Sequence, residues 1–512
     1  MEKIEVETKF IEPKQILKHA PIPLLRESAL ETKLECQYEI KKSTTSSELV
    51  KSTLTLRPRA FGSFLSPAPY YLYEETETTL RVPRIFGLLQ YGIPENDLRT
   101  PELQKSRQKW ETNLVLKTWQ TDVVNHVKKC ILTPPLNCGM LSAACGLGKT
   151  CMAIEIICQM GIKTAVLVHK EFLITQWIER ISSFCPELCT GKIQGDKMEI
   201  GDVTLIMIQT VCNGKYHMDT FKDMEFVVVD ECHHLCASTF NKSMRFFKAR
   251  YVMGLSATLK RSDGNERGIF WLLGHPVVTC TRKSNDEIDN ENSLHVKMVY
   301  SDRDCYVSEI RTANNNLLYS KMLTRLLKKE SRIKIICDQT QELFKENREI
   351  LIISERITLL DEIQKRLELA NIPSCKYVGE TSKKKKLERD ELSKKSKIIL
   401  TTRAMAAEGF DRPGISAVVL ATPLKQGTGL EQSIGRCQRL CSNVTSKVVV
   451  DIVDNFSLFS TMAKGRENFY KQKGYKITKL NYQNTNSFGN TRQATKTLPQ
   501  KRKPFFLPIK HD

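Results

Sequence analysis

No run of apolar residues in this 512-residue chain is long enough to cross a bilayer. The opening segment, Met1 to Glu7, lacks the basic-then-apolar order of a secretory signal. Together these absences give the expectation of a soluble intracellular protein. Regular cysteine spacing is missing as well. The 17 cysteines are scattered and odd in number, and many (Cys151, Cys158, Cys280, Cys337) sit inside apolar segments. That distribution argues against a disulfide framework and fits buried thiols in a reducing compartment. Acidic side chains are in deficit: 58 Asp and Glu face 78 Lys and Arg, leaving a formal charge of +20. Such an excess favours polyanionic partners, nucleic acid first, although a plain solvated surface is also rich in lysine.

The length allows two or three domains, and a 41% hydrophobic content is compatible with a core for each. The organising stretch is Ala143, Ala144, Cys145, Gly146, Leu147, Gly148, Lys149 and Thr150, which follows the apolar Met140 and Leu141 and precedes a helix-like segment, Cys151 to Gln159. Strand, glycine loop and helix in that order make a phosphate cradle. Gly146 and Gly148 let backbone N–H groups approach phosphate oxygens, Lys149 neutralises the terminal phosphates, and the Thr150 hydroxyl suits Mg²⁺. The strict pattern has glycine where this chain has Ala143, so the loop alone does not decide between an ATP site and an ordinary turn.

Around the loop the chain divides by rhythm. Residues 1–105 carry no phosphate signature, but Leu65 to Tyr73 and Leu80 to Tyr91 are apolar and aromatic enough to fold, which predicts a small mixed or β-rich accessory domain. Over 106–275, buried runs at Thr164 to Val168, Val203 to Ile208, Phe226 to Val229 and Tyr251 to Leu255 alternate with amphipathic helical segments. Runs apolar on both faces imply a parallel sheet covered on two sides. Residues 276–345 break the pattern and read as a connector or insertion. The alternation returns over 346–475 at Ile350 to Ile353, Lys397 to Leu400, Ala417 to Leu420 and Lys447 to Val450. The fold class is therefore α/β, with two tandem doubly wound lobes and a small N-terminal domain. The tail, 476–512, has low apolar density, which predicts disorder for most of its length. Its Lys501-Arg502-Lys503-Pro504 cluster reads as a nuclear address, a phosphate-binding arm or simply soluble charge. Lys383 to Lys386 read first as a solvated loop before a helix at Leu387, and second as part of a nucleic-acid path.

Asp230 and Glu231 follow the run Phe226 to Val229, at the carboxyl end of a buried strand, the edge where α/β sheets bind ligands. Asp230 suits Mg²⁺, directly or through water, and Glu231 suits orienting and deprotonating an attacking water. A zinc site is the competing idea, since Cys232, His233, His234 and Cys236 are all ligand types, but no second pair stands at a matching interval. His233 instead suits coupling to Ser256, Ala257 and Thr258, which follow the next strand. Far along the chain, Gln432 to Arg439 place Arg436 and Arg439 three apart, on one face of a helix. Arginines aimed at a terminal phosphate from a second lobe stabilise its developing charge.

These motifs occur together and in order, and here the chain resembles the superfamily 2 helicases. Ala143, Gly146, Gly148, Lys149 and Thr150 match the family's Ala-x-x-Gly-x-Gly-Lys-Thr, Asp230 to His233 its Asp-Glu-x-His box, Ser256 to Thr258 its Ser-Ala-Thr, and Gln432 to Arg439 its Gln-x-x-Gly-Arg-x-x-Arg. The resemblance covers roughly residues 110–460 and implies two RecA-like lobes with ATP and Mg²⁺ between them. It implies that Gln120 contacts adenine, that His169, Lys170, Gln176 with the adjoining Trp177, Gln209, Thr210, Thr401 and Thr402 contact a nucleic acid strand, and that Gly409 and Asp411 contact ATP. Gly254 to Gly264 is similar to the corresponding segment of the XPB-like branch, with Leu259 in place of its proline. The layout looks most like the transcription-associated helicases of asfarviruses and poxviruses. That likeness implies DNA as the favoured partner with RNA as the alternative, contact with transcription machinery, and the host cytoplasm, or else the nucleus, as location. A subunit that clamps nucleic acid without hydrolysing ATP is the reading from another class, and the intact Glu231, Arg436 and Arg439 argue against it.

Overall fold

The protein is described by a computed structural model covering residues 6–16, 31–42, 44–58, 68–104, 109–144, 146–235, 240–257, 264–282, 294–313, 315–379, 383–408, 412, 414–435 and 447–482. Two large sheets dominate it. The first orders its nine strands as Val6–Phe10, Pro276–Arg282, Cys138–Ala143, Tyr251–Ser256, Phe226–Val229, Thr164–Val168, Val203–Met207, Thr190–Gln194 and Lys197–Glu199. Its interior pairings are parallel, and only the two edge strands run antiparallel to their neighbours. The central strands are buried on both faces, as in Phe226–Val229, because helices such as Lys149–Met160 and Glu171–Phe184 accompany the sheet. β-Branched residues make up most of Phe226–Val229, Thr164–Val168 and Val203–Met207 and suit a pleat packed on both sides.

The second sheet is wholly parallel: Ser374–Tyr377, Ile398–Thr402, Ile350–Ser354, Ala417–Leu420, Lys447–Val453, Leu294–Tyr300 and Lys476–Asn481. Its core is built from residues 294–470, whereas the core around the first sheet is built from residues 16–280. Two lobes of the same α/β architecture result.

Three boundaries differ from those the sequence suggests. The stretch 276–345 is no free-standing connector: Pro276–Arg282 completes the first sheet, while Leu294–Tyr300 and the helices Tyr319–Leu326 and Glu330–Lys345 belong to the second lobe. The reason is pairing, since Leu294–Tyr300 sits between two parallel neighbours and buries alternate side chains. Lys476–Asn481, expected within the tail, is the edge strand beside it, and 483–512 lie outside the described residues. Lys383 to Lys386 open a helix, Lys383–Lys395, in place of a loop.

The N-terminal residues form a five-stranded sheet, ordered Glu74–Glu75, Thr79–Val82, Tyr38–Lys41, Lys33–Leu34 and Asn96–Asp97, with the buried helix Arg84–Tyr91 against it. This unit shares a continuous core with the first lobe. Buried Arg84 donates to the carbonyls of Ala249 and Phe247, the latter at 2.7 Å, and Phe86 meets Trp271 edge-to-face with ring centroids 5.7 Å apart. Asp97 accepts from Arg99 at 2.8 Å and from Arg250 at 3.0 Å, and these two arginines hold its carboxyl down at about 2 against the opposing effect of burial. The first five residues of the described chain, Val6–Phe10, form the outer strand of the first sheet. Among the described residues no helix is long and apolar enough to cross a membrane.

Candidate functional site

Parallel neighbours end at the same edge, so strand order dictates which motifs meet. Cys138–Ala143, Tyr251–Ser256, Phe226–Val229, Thr164–Val168 and Val203–Met207 are adjacent in that order. Their carboxyl ends lead into the glycine loop, Ser256, Asp230, His169 and Gln209 respectively. This is the ligand-binding edge of an open α/β sheet.

Within the loop, Gly146 and Gly148 adopt φ of 80° and 83°, left-handed values that glycine accepts without a Cβ clash. At Gly148 a Cβ would also lie 2.7 Å from Nε2 of Gln120, so a larger residue there would displace the end of that side chain. Gln120 Nε2 donates to the Leu147 carbonyl at 3.1 Å while its Oε1 accepts from the Lys117 N–H at 2.9 Å, which pins the loop to the start of the helix Thr118–Leu132. Both ends of the Gln120 amide are thus on backbone. Lys149 Nζ donates to the Ala143 carbonyl at 2.9 Å, and Thr150 lies in the first turn of the helix Lys149–Met160. Cys145 lies outside the described residues. A backbone cradle at the N-terminus of a twelve-residue helix, with a lysine folded over it, fits a chain of phosphates.

Asp230 is buried and anchored by two donors: Trp177 Nε1 reaches Oδ2 at 2.8 Å and the Glu231 N–H reaches Oδ1 at 2.9 Å. Each oxygen keeps lone-pair capacity for a cation or its water, so Asp230 and Thr150 fit Mg²⁺. Glu231 stands at φ 47°, a left-handed conformation costing a non-glycine residue about 1 kcal/mol, of the kind held by surrounding structure at working sites. The two carboxyls are displaced in opposite directions. Burial and then the Glu231 charge raise Asp230, whereas for Glu231 the His233 hydrogen bond and the charges of Lys149 and His233 outweigh burial and hold it below its ordinary range. The Lys149 charge acts on both, so the loop and the carboxylates form one electrostatic unit.

His233 Nδ1 lies 3.3 Å from Glu231 Oε2 and 3.1 Å from the Ser256 hydroxyl, joining the carboxylate to the end of the neighbouring strand. Ala257 follows at the strand end; Thr258 lies outside the described residues. Cys232 is fully buried and Cys236 lies outside the described residues. Among the described residues no three His, Cys, Asp or Glu side chains converge to hold a metal ion by themselves.

The positions expected to contact a strand separate into surface and interior. Lys170 and Gln176 are partly exposed. His169 is buried, its ring packed on His234, and burial holds both imidazoles low, at about 4 and about 3, so both are neutral at ordinary pH. Gln209 Nε2 donates to the His169 carbonyl at 2.8 Å, and the buried Thr210 hydroxyl accepts from the Gly195 N–H at 3.0 Å. In the second lobe Thr401 does not reach the surface: it is buried and its hydroxyl donates to the Tyr377 carbonyl at 2.7 Å, leaving Thr402 as the partly exposed member of the pair. Gln432 lies on the helix Thr428–Gly435, while Gly409, Asp411, Arg436 and Arg439 lie outside the described residues.

Trp177 is what sequence reading mis-aimed. Paired there with Gln176 as part of a strand contact, it is 1% exposed and serves Asp230 instead. On the helix Glu171–Phe184 the buried positions Leu173, Ile174, Trp177 and Ile181 recur at helical spacing, and this periodicity was the available signal.

Comparison with known proteins gives the chain a family. Residues 113–261 match the family described as type III restriction enzyme, res subunit, and residues 331–441 match the helicase conserved C-terminal domain. A protein of Acanthamoeba polyphaga mimivirus, L396, provisionally named an ATP-dependent RNA helicase, is 30% identical over 86% of this chain and 85% of its own length. The African swine fever virus protein QP509L (isolate Tick/Malawi/Lil 20-1/1983), named in the same way, is 27% identical over 72% of this chain and 75% of its own. Among solved structures, yeast Dbp5 bound to RNA and ADP BeF3 superposes with a TM-score of 0.50 at 13% identity, covering 69% of this chain and 89% of that one. A fragment of a type I restriction enzyme's provisionally assigned HsdR subunit from Vibrio vulnificus gives 0.52 at 17% identity, covering 72% and 69%. With paired parallel-sheet lobes, a glycine-lysine loop beside an Asp-Glu-x-His box, and likeness over most of its length to proteins named as viral helicases, the chain belongs to the superfamily 2 helicases.

Proposed function

We propose that the chain couples ATP hydrolysis to movement along a nucleic acid strand, DNA in preference to RNA. The observation that carries this reading is the convergence of Lys149, Asp230, Glu231, His233 and Ser256 on one sheet edge, linked by hydrogen bonds and by a shared lysine charge. Lys149 and the loop N–H groups hold the phosphates of ATP. Thr150 and Asp230 hold Mg²⁺, which when bound neutralises phosphate charge. Glu231, ionised below its ordinary range, accepts from the attacking water and orients it. Arg436 and Arg439 supply positive charge to the terminal phosphate during hydrolysis, and Gly409 and Asp411 contribute to nucleotide binding. Lys170, Gln176 and Thr402 contact strand phosphates, which carry no base identity, so tracking is independent of sequence.

DNA is favoured by the likeness of Gly254 to Gly264 to the XPB-like branch and by the restriction-enzyme family matched over residues 113–261. RNA is the second reading, favoured by the names of the mimivirus and African swine fever virus relatives. Their source in large DNA viruses supports a setting in viral transcription or genome processing, in the host cytoplasm.

Steady-state ATP hydrolysis tests the proposal, using wild type and Glu231→Gln with saturating DNA or RNA of one sequence. Wild type with DNA is expected to exceed the variant by about 10²-fold or more, the contribution of a positioned base. Equal turnover in both proteins would overturn the enzyme reading, and stimulation by RNA alone would replace DNA with RNA.

A further inference from the structure

Behind the carboxylates stand three imidazoles in a row. The His169 and His234 rings have centroids 4.1 Å apart with planes inclined by 34°, and the His234 and His233 rings follow at 4.2 Å and 37°. One end of the row is the buried His169, immediately before Lys170 on the segment proposed to touch the strand, with its carbonyl held by Gln209 from the adjacent segment. The other end is His233, set between Glu231 and Ser256. His234 is the middle ring, and nothing in the proposed chemistry uses it.

We propose that His234 is a positioning residue that transmits strand engagement at His169-Lys170 to Glu231 by ring packing. The inference rests on the function proposed above. Close-packed rings cannot shift singly without opening a gap or a clash, so a displacement at His169 is passed to His234 and then to His233. His233 in turn fixes where the Glu231 carboxylate points. A water-orienting group is sensitive to displacements well below 1 Å, so a small backbone adjustment when phosphates bind Lys170 is enough to alter turnover. The row runs across two neighbouring strands, Thr164–Val168 and Phe226–Val229, which supplies a direct route from strand contact to chemistry.

ATP hydrolysis with and without saturating polynucleotide tests this, in wild type, His234→Ala, His234→Phe, His234→Leu, His169→Ala and the His169→Ala/His234→Ala double variant. His234→Ala is expected to lose about tenfold of the polynucleotide stimulation, with basal turnover and KM for ATP within about twofold of wild type. His234→Phe, which keeps a ring, is expected to retain most of the stimulation, and the double variant to lose no more than either single one, since both interrupt the same row. Full stimulation in His234→Ala would overturn the inference, as would equal impairment of His234→Phe and His234→Ala in proteins that melt like wild type. Should His234→Ala not fold, the comparison of His234→Phe with His234→Leu decides: equal stimulation of the two rejects a role for the ring. A wild type indifferent to polynucleotide would instead sink the proposed function, which keeps the two failures distinct.

Discussion

Asp230 owes its aim to Trp177. A carboxylate at a strand end has two rotatable bonds, and here the indole N–H at 2.8 Å and the Glu231 N–H at 2.9 Å fix both. Trp177→Phe keeps an aromatic ring but a smaller one and removes the donor, leaving a buried carboxylate oxygen short of one hydrogen bond. Hydrogen bonds to charged groups are worth about 1.5–3 kcal/mol, so urea unfolding should register a loss of at least that order, the smaller ring adding to it. If Asp230 holds Mg²⁺, the same variant should raise the Mg²⁺ concentration for half-maximal ATP hydrolysis, while KM for ATP at saturating Mg²⁺ changes little. An unchanged Mg²⁺ requirement would mean that the indole supports the fold alone.

At the scale of elements, the glycine loop and its helix make the sharpest prediction. Gly148 has φ 83°, strained for any residue with a Cβ, and that Cβ would displace the Gln120 Nε2 that lies 2.7 Å away and pins the loop, so Gly148→Ala should disturb the cradle shape. ATP binding, followed by a fluorescent nucleotide, should weaken by about tenfold or more, the equivalent of roughly 1.4 kcal/mol. Affinity within twofold of wild type would show that the cradle tolerates the shift. This loop was legible in the sequence because its chemistry is local: two glycines, a lysine and a threonine at fixed spacing. The interior strands were legible for the same reason, since Phe226–Val229 and Ile350–Ser354 bury both faces and announce it in every residue. Thr190–Gln194 was not, because it alternates polar and apolar positions and depends on Gly191, where a Cβ would lie 2.3 Å from the Glu199 carbonyl. Lys476–Asn481 is a polar edge strand, largely solvated, and local composition could not separate it from a tail. Pro276–Arg282 and Leu294–Tyr300 misled for a further reason: which sheet a strand joins is set by distant partners. The Trp177–Asp230 bond and the imidazole row are likewise contacts through space, between segments tens of residues apart.

For the whole molecule, the proposed function requires two separately built lobes to act on one nucleotide. The second lobe holds buried ion pairs: just past the strand Lys447–Val453, Asp454 is met by Arg332 at 3.0 Å, which also donates to the Ala421 carbonyl, and within that strand Asp451 is met by Arg466 at 2.8 Å, with Tyr470 on the same carboxylate. Such pairs contribute little net stability but fix geometry, because removing either partner strands a buried charge. If the first lobe holds the nucleotide and the second completes its chemistry, the two sets of residues should fail differently. Lys149→Ala removes a charge from the phosphates in the ground state and should weaken ATP binding by about tenfold or more, as the loss of one charged contact does. Arg439→Ala should leave binding within about threefold of wild type and slow single-turnover hydrolysis by on the order of 10³, because its charge matters as the transition state develops. Nucleotide titration and single-turnover kinetics on the two variants separate the cases. Equal losses of affinity, with no selective loss of rate in Arg439→Ala, would mean that the arginines do not act on the phosphates held by Lys149, and hydrolysis would then have to be explained from the first lobe alone.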